Sequence, residues 1–272
     1  MKILYFGGGL GNQIFEYAFY LYIKDRFPNE NIYGVYNKKR LSEHYGLEIH
    51  KWFDVNLPSS PWFVNAITAI GYFVKKVFKN DSFMDLDSRN FLNERALILN
   101  AYKYNKKYIP THNWINFCIE EESLSTENRE ILHKIRTSNS IFIHIRRGDF
   151  LSEKNKALYA NICTLNYYKK ALQHIQEMRL NATYYIFSDD MGWTKRNLPL
   201  DNAFYIDWNI NENSPLDLYL MSNCKGAIMA NSTFSYWGAL LGIKKNIVIY
   251  PRKWINSPLG IPDIFMEHWI PF

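Results

Sequence analysis

The chain has 272 residues, 47% of them hydrophobic and 21% charged, a make-up that fits a globular protein and excludes a collagen-like, low-complexity or wholly disordered one. Lys and Arg outnumber Asp and Glu by 32 to 26, a net charge of +6; this suits an anionic ligand but is too small and too scattered to demand nucleic acid. Three widely spaced cysteines, Cys118, Cys163 and Cys224, offer neither a zinc ribbon nor a Cys-x-x-Cys redox motif, so a reduced compartment is expected.

Residues 2–6 form an apolar run that passes straight into glycines, with no signal-peptide core, and no stretch of 18 apolar residues follows. A cytoplasmic setting is the expectation. The first strand, 2–6, leads to Gly7-Gly8-Gly9-Leu10-Gly11-Asn12-Gln13 and a helix over 12–27. Glycines let a backbone approach a ligand, and a helix N-terminus favours anions. The loop is not a dinucleotide fingerprint, because Asn12 stands where the third glycine belongs, and no Gly-Lys-Ser/Thr makes it a P-loop. A tight strand-to-helix turn is the alternative.

A strand over 31–36 follows, and then regular alternation breaks between about residues 40 and 93. Within that stretch residues 61–79 read as a helix, with Phe63, Ile67, Ile70, Val74 and Val77 at helical spacing and Lys75, Lys76 and Lys79 at the end. Such a stripe packs on its own domain or lies on a membrane surface. Asp85-Leu86-Asp87 is formally a D-x-D, the pair that holds a divalent cation in metal-dependent sugar transferases; so short a motif proves little alone.

From residue 97 the pattern is regular. Strands are predicted over 97–102, 140–145, 183–187, 203–206, 227–230 and 246–250, and helices over 126–136, 166–178, 215–223 and 233–241. This alternation predicts α/β layers with mostly parallel sheets. Polar loops follow at once on the strands: Arg146-Arg147-Gly148-Asp149, Ser188-Asp189-Asp190 and Asn231-Ser232-Thr233. In open parallel sheets ligands bind beyond the carboxyl ends of the strands. Arg146 and Arg147 suit a diphosphate, since guanidinium forks grip phosphate oxygens bidentately. One carboxylate, Asp149, cannot balance two guanidiniums and His144, so an anionic ligand is expected to complete the charge. Asp189 and Asp190 could accept from a base or ribose, hold a metal, or cap a helix. Ser232 and Thr233 could bind an anion or simply cap the helix after them.

Gly8-Gly9-Leu10-Gly11-Asn12-Gln13-Ile14-Phe15, His144 to Asp149, Phe187-Ser188-Asp189-Asp190 and Asn231 to Ala239 occur in that order, together with Tyr167-Tyr168, Asp217 to Cys224, Tyr250-Pro251 and Trp254. The ordered set resembles the α-1,2-fucosyltransferases of glycosyltransferase family 11, over nearly the whole chain. Departures stand at Glu16, Phe150, Gly226 and Tyr236, of which Glu16 and Gly226 could alter acceptor choice.

The resemblance implies a GT-B-like α/β fold: two Rossmann-like domains with a cleft between them, residues 1–139 on the acceptor side with the Gly-rich loop, and 140–272 binding GDP, a last helix crossing back. It implies transfer of L-fucose, with inversion, from GDP-β-L-fucose to the 2-hydroxyl of a terminal galactoside, in surface polysaccharide or oligosaccharide synthesis. GDP-fucose is then a co-substrate; no metal and no separate cofactor is expected, and no nucleic acid partner. The catalytic residues implied are Arg146, His144, Asp149 and Asn12, with Arg146 on the β-phosphate and His144, Asp149 or Glu16 as base. The donor contacts implied are Gly9, Gly11, Asn12, Gln13, Arg146, Arg147, Ser188, Asp189, Asp190, Asn231, Ser232, Thr233 and Phe234. Residues 61–79 offer a peripheral contact with the inner membrane face. The alternatives are a metal-dependent transferase built on Asp85 and Asp87, and a non-catalytic nucleotide- or glycan-binding module.

Overall fold

A computed structural model describes all residues except 43, 44, 80, 81, 86–91, 102, 112, 113 and 258–260, together with the side chain of Arg40. The chain divides into two units: Met1–Ile119 with Pro262–Ile264, and Glu120–Ile261 with Phe265–Phe272.

The first unit runs β1 (Lys2–Phe6), α1 (Leu10–Arg26), β2 (Ile32–Tyr36), α2 (Lys38–Ser42), α3 (Ile49–Trp52), α4 (Trp62–Phe78), β3 (Met84–Asp85) and β4 (Ile98–Asn100). Its strands form one parallel sheet in the order β2-β1-β4-β3. Ile3, Val35, Val64, Met84 and Ile98 make a core between that sheet and α4. The strand order changes direction between β1 and β4, which puts the glycine loop, at the carboxyl end of β1, at a topological switch point.

The second unit runs α5 (Thr126–Thr137), β5 (Ser140–Ile145), α6 (Lys156–Tyr159), α7 (Leu165–Glu177), β6 (Thr183–Ser188), α8 (Met191–Asn197), β7 (Ala203–Ile206), α9 (Pro215–Asn223), β8 (Gly226–Ile228), α10 (Thr233–Leu240), β9 (Ile247–Tyr250) and β10 (Ile270–Pro271). The sheet order is β10-β9-β8-β5-β6-β7 and every pairing in it is parallel. Taken in chain order from β5, this is the doubly wound 6-5-4-1-2-3 arrangement of a Rossmann sheet, with its switch point between β5 and β8. Every residue of β5 is buried, as expected for a parallel strand covered on both faces. Ile141, Ile143 and Ile145 pack on one side against Tyr167, Tyr168, Ala171, Leu172 and Ile175 of α7. Helix starts follow local chemistry: Ser125 and Thr164 accept from backbone N–H groups three residues on, and Pro215 stands at the first position of α9.

Three expectations change. Helix α5 belongs to the second unit, so that unit starts at Glu120 and not at residue 140; Ile131, Leu132 and Ile135 are buried on the face that α5 turns inward. Beyond α10 the described residues hold strands and no helix. The segment that groups with the first unit is instead the tripeptide Pro262–Ile264, where the Lys106 N–H donates to the Asp263 carbonyl at 2.6 Å. Finally, Gly226 is the first residue of β8, wedged between Ile141 and Ile247. That is the amino end of the strand, away from the loops where an acceptor could be chosen.

Candidate functional site

In the second unit the parallel register sets Ile145 of β5 beside Ser188 of β6, so the polar residues after each strand emerge together. Arg146 Nε lies 2.9 Å from Asp149 Oδ1 and 3.3 Å from Asp189 Oδ2, with the Phe150 ring beneath the guanidinium. Arg147 Nε lies 3.2 Å from Asp190 Oδ2, and its guanidinium carbon sits 3.8 Å over the Trp193 ring. The Arg147 backbone N–H donates to Asp189 Oδ1 at 2.8 Å. A Cβ at position 148 would stand 2.8 Å from Asp189 Oδ2, so glycine there is what allows Asp189 to close on both arginines.

Asp190 has two tasks. It caps α8, accepting from the Trp193 N–H at 3.0 Å, and it pairs with Arg147. That N–H, with the guanidinium, holds its carboxyl below the usual carboxylate range. The Ser188 hydroxyl accepts from the Asp190 N–H at 3.0 Å and from Thr194 at 3.1 Å. Two guanidiniums therefore pair with three carboxylates, and Arg196 adds a further positive charge near Asp190. The positive excess expected along 144–149 is offset by Asp189 and Asp190. Both carboxylates at Arg146 approach Nε, the inner nitrogen of the fork.

His144 is buried one residue before the strand end, and its Nδ1 has no hydrogen-bond partner. Burial, with the Arg146 charge adding to it, pushes the imidazole down to about 3. The ring is neutral at physiological pH and a poor proton acceptor. It faces Phe234, ring centroids 5.8 Å apart, which ties the loop after β5 to the one after β8 across the switch point. There, Ser232 occupies the N-cap of α10 without a side-chain cap bond. Asn231 is buried and its amide donates to the carbonyls of Trp254 at 3.1 Å and Tyr159 at 3.4 Å, so its side chain anchors the loop. The Ser235 hydroxyl accepts the Ala230 N–H at 3.0 Å. Ser232, Thr233 and Phe234 are thus presented at a helix start on a braced turn.

In the first unit α1 begins at Leu10, two residues earlier than expected, with Gly9 extended at the N-cap. Gly11, Asn12 and Gln13 are therefore in its first turn, and the Asn12 and Gln13 N–H groups both turn to the Gly9 carbonyl. Gly8 adopts φ +101°, and a Cβ there would stand 2.5 Å from Asn12 Nδ2, so the turn requires glycine. The Gln13 amide, expected to meet the donor, is engaged on both sides: Nε2 donates to the Gly8 and Gly46 carbonyls, and Oε1 accepts from the Glu48 and Ile49 N–H groups. Glu16 is also buried and accepts the Gly7 N–H on both oxygens, at 2.9 and 3.1 Å. These two side chains shape the loop, and Asn12 and Gly9 remain at its rim. Asp85 is buried against the Lys103 ammonium at 2.7 Å and accepts the Asn93 N–H; Asp87 lies outside the described residues.

Trp193 is the site residue that the sequence reading passed over. Its signal is its position three residues after Asp190, where an N-capped helix returns a side chain towards the strand end.

A doubly wound sheet with clamped arginines at its switch point marks a ligand-binding α/β protein, and the comparisons with known proteins say of which kind. Residues 4–272 match the model of glycosyl transferase family 11. The chain belongs to that family and is a glycosyltransferase. It is 29% identical to an alpha-1,2-colitosyltransferase of Escherichia coli, over 97% of this chain and 96% of that one. It is 33% identical to the O-antigen biosynthesis glycosyltransferase WbnK of Escherichia coli, over 57% of this chain and about half (52%) of WbnK. A galactoside alpha-(1,2)-fucosyltransferase 2 of Mus musculus matches at 26% over 44% of this chain and 35% of its own. Among solved structures, NodZ alpha-1,6-fucosyltransferase co-crystallised with GDP superposes with a TM-score of 0.52 at 10% identity, covering 89% of this chain and 92% of that one. The fold is accordingly the GT-B type. No helix among the described residues is long and apolar enough to cross a membrane.

Proposed function

We propose that this glycosyltransferase moves L-fucose, with inversion, from GDP-β-L-fucose to the 2-hydroxyl of a terminal galactoside, in the assembly of a surface polysaccharide at the cytoplasmic face. The observation that carries this reading is Arg146: a guanidinium at the carboxyl end of the central strand, gripped at Nε by Asp149 and Asp189. A grip on Nε orients the fork so that its terminal nitrogens can take two oxygens of a diphosphate. As the bond from sugar to phosphate breaks, negative charge gathers on the leaving GDP, and a preorganised cation there is worth several kcal/mol. Positive charge develops on the sugar ring, as in other glycosyl transfers. Arg147, its guanidinium over the Trp193 ring, adds a second cation, and the start of α10 supplies backbone N–H groups with Ser232 and Thr233. In this reading the terminal nitrogens of the arginines and the N–H groups at the start of α10 hold the diphosphate by directed hydrogen bonds, without a metal or a separate cofactor.

Of the three candidate bases, His144 is held neutral with little proton affinity and Glu16 is spent on the Gly7 N–H. Asp149, the more exposed partner of Arg146, is the remaining candidate for the acceptor proton. Asn12 and Gly9 stand at the rim of the first unit's own switch point, and their part in the reaction is proposed from the family resemblance.

A second donor is favoured by one observation: the relative matched along its full length is named for colitose, a fucose lacking its 3-hydroxyl. The test is GDP release from GDP-fucose and from GDP-colitose, in EDTA, over a panel of β-galactosides, with product linkage read by NMR. Acceptor-dependent release from GDP-fucose with an α-1,2 product is expected. Release from GDP-colitose alone would replace the donor, and GDP binding without turnover on any acceptor would favour a binding module. Arg146→Ala is expected to lower kcat by about 10²–10³ with folding kept, because both carboxylate partners still reach solvent and a partly exposed salt bridge adds little stability. Turnover near that of the parent would remove Arg146 from the mechanism.

A further inference from the structure

Helix α4 is apolar nearly all round, a composition that normally means burial on every side, yet only one face is covered. Val64, Thr68 and Gly71 point inward and are buried, and Val64 joins Ile3, Val35, Met84 and Ile98 in the core of the first unit. The opposite face carries Trp62, Ile70, Phe73 and Val77, which are 82%, 61%, 62% and 53% exposed, and Phe78 at the helix end is 69% exposed. Trp62, Ala66, Ala69, Phe73 and Val77 follow one another at steps of three and four and so form a single stripe along the helix. Isolated exposed apolar residues are ordinary, but a contiguous patch of them marks an interaction surface. Folding has no use for this stripe, since the inward residues already fix the helix on its sheet.

We propose that this face of α4 is a membrane-docking surface, and that its partner is a bilayer surface bearing anionic headgroups. Three observations select that partner. The helix has 17 residues, about 25 Å at 1.5 Å per residue, and is sealed to the sheet along one side, so it can lie in the interface but not span. Charge is one-sided: no Asp or Glu occurs between Asp54 and Asp81, while Lys76 and Lys79 are exposed at the end of the stripe, the pattern that anionic lipid attracts. The stripe also carries Trp62 and Phe73, and large aromatic side chains suit the boundary between headgroups and acyl chains. A second copy of the chain would offer apolar contacts on this helix but no carboxylate for the lysines. Docking would hold the enzyme beside a lipid-borne acceptor, but the surface stands independently of the donor and linkage proposed above.

The experiment is co-sedimentation of the full chain with vesicles of phosphatidylethanolamine containing a quarter phosphatidylglycerol, against vesicles of phosphatidylcholine alone, with tryptophan emission followed in parallel and the Trp62 share taken as the difference from Trp62→Phe. The expected result is binding to the anionic vesicles with a blue shift, weakened by 0.5 M salt. Ile70→Gln/Phe73→Gln should lose about tenfold or more in affinity, and Lys76→Gln/Lys79→Gln should lose the preference for anionic lipid. Both pairs are exposed and far from the arginine site in sequence, so GDP binding and thermal stability should be unchanged, which separates loss of docking from loss of fold. Absence of binding to either vesicle, or an apolar double variant that binds as the parent does, would overturn the proposal. So would a concentration-dependent dimer that the same double variant dissolves; that result would assign the stripe to a second copy.

Discussion

Replacing His144 with Phe tests the electrostatic picture of the strand end directly. In the folded chain the imidazole is buried, has no partner at Nδ1 and is held at about 3, first by burial and then by Arg146; in the unfolded chain it titrates near 6.5. The folded state therefore binds fewer protons than the unfolded state between those values. Stability from this group is intact above about pH 6.5 and is lost progressively as pH falls towards 3. Between pH 7 and pH 5 the loss works out at about 2 kcal/mol, because at pH 5 nearly every unfolded chain is protonated there and almost no folded one is. Phe fills a similar space beside Phe234 and does not titrate. Urea unfolding followed by tryptophan fluorescence, run at pH 7 and pH 5 on both proteins, gives a difference of differences in which other titrating groups cancel. The Phe variant should be less acid-sensitive than the parent by about 2 kcal/mol. Equal acid sensitivity, or an NMR titration of His144 near 6.5, would refute the neutral buried imidazole and restore it as a base.

Three further outcomes are expected. Trp193→Ala removes the face on which Arg147 lies but leaves the Asp190 cap, which uses only the backbone N–H; GDP affinity by calorimetry should fall by about 2- to 30-fold, the range of a lost cation–π contact. Asp85→Ala leaves the buried Lys103 ammonium without its carboxylate and should cost about 3–5 kcal/mol in denaturant unfolding; unchanged stability with lost activity would instead make Asp85 a site residue. Gly8→Ala forces a side chain into a left-handed turn and against Asn12, so melting temperature and acceptor KM should both worsen, and a variant equal to the parent in both would show that the loop relaxes freely.

Much of the architecture was legible because the strands read as apolar runs, β1 and β5 being almost wholly buried: β1, β5 and the edge strand β7 fall on the predicted residues, and α9 from Pro215 to Asn223 likewise. The two-residue strands β3 and β10 are too short to carry any periodicity. Helix α8, with Gly192, Lys195 and Arg196 among its seven residues, has no apolar stripe to announce it; Asp190 was its one sign, and a cap alone does not separate a helix from a ligand contact. The early start of α1 was hidden because glycines at 7, 8, 9 and 11 read as one loop, although only Gly8 takes a positive φ among them.

Charge at the site was the least legible quantity. Read along the chain, residues 144–149 carry more positive than negative groups; folded, they meet Asp189 and Asp190 from β6 and its loop, with Arg147 and Asp190 43 positions apart. That pairing is a property of strand register and appears in no local window. It changes the chemistry ascribed to the arginines: they are not bare cations waiting for any anion but are aimed by carboxylates, and under the proposed function a diphosphate would compete with those carboxylates. Such a site should discriminate by geometry more than by charge, favouring a ligand whose two phosphate oxygens match the exposed edge of Arg146 over one that is merely more negative.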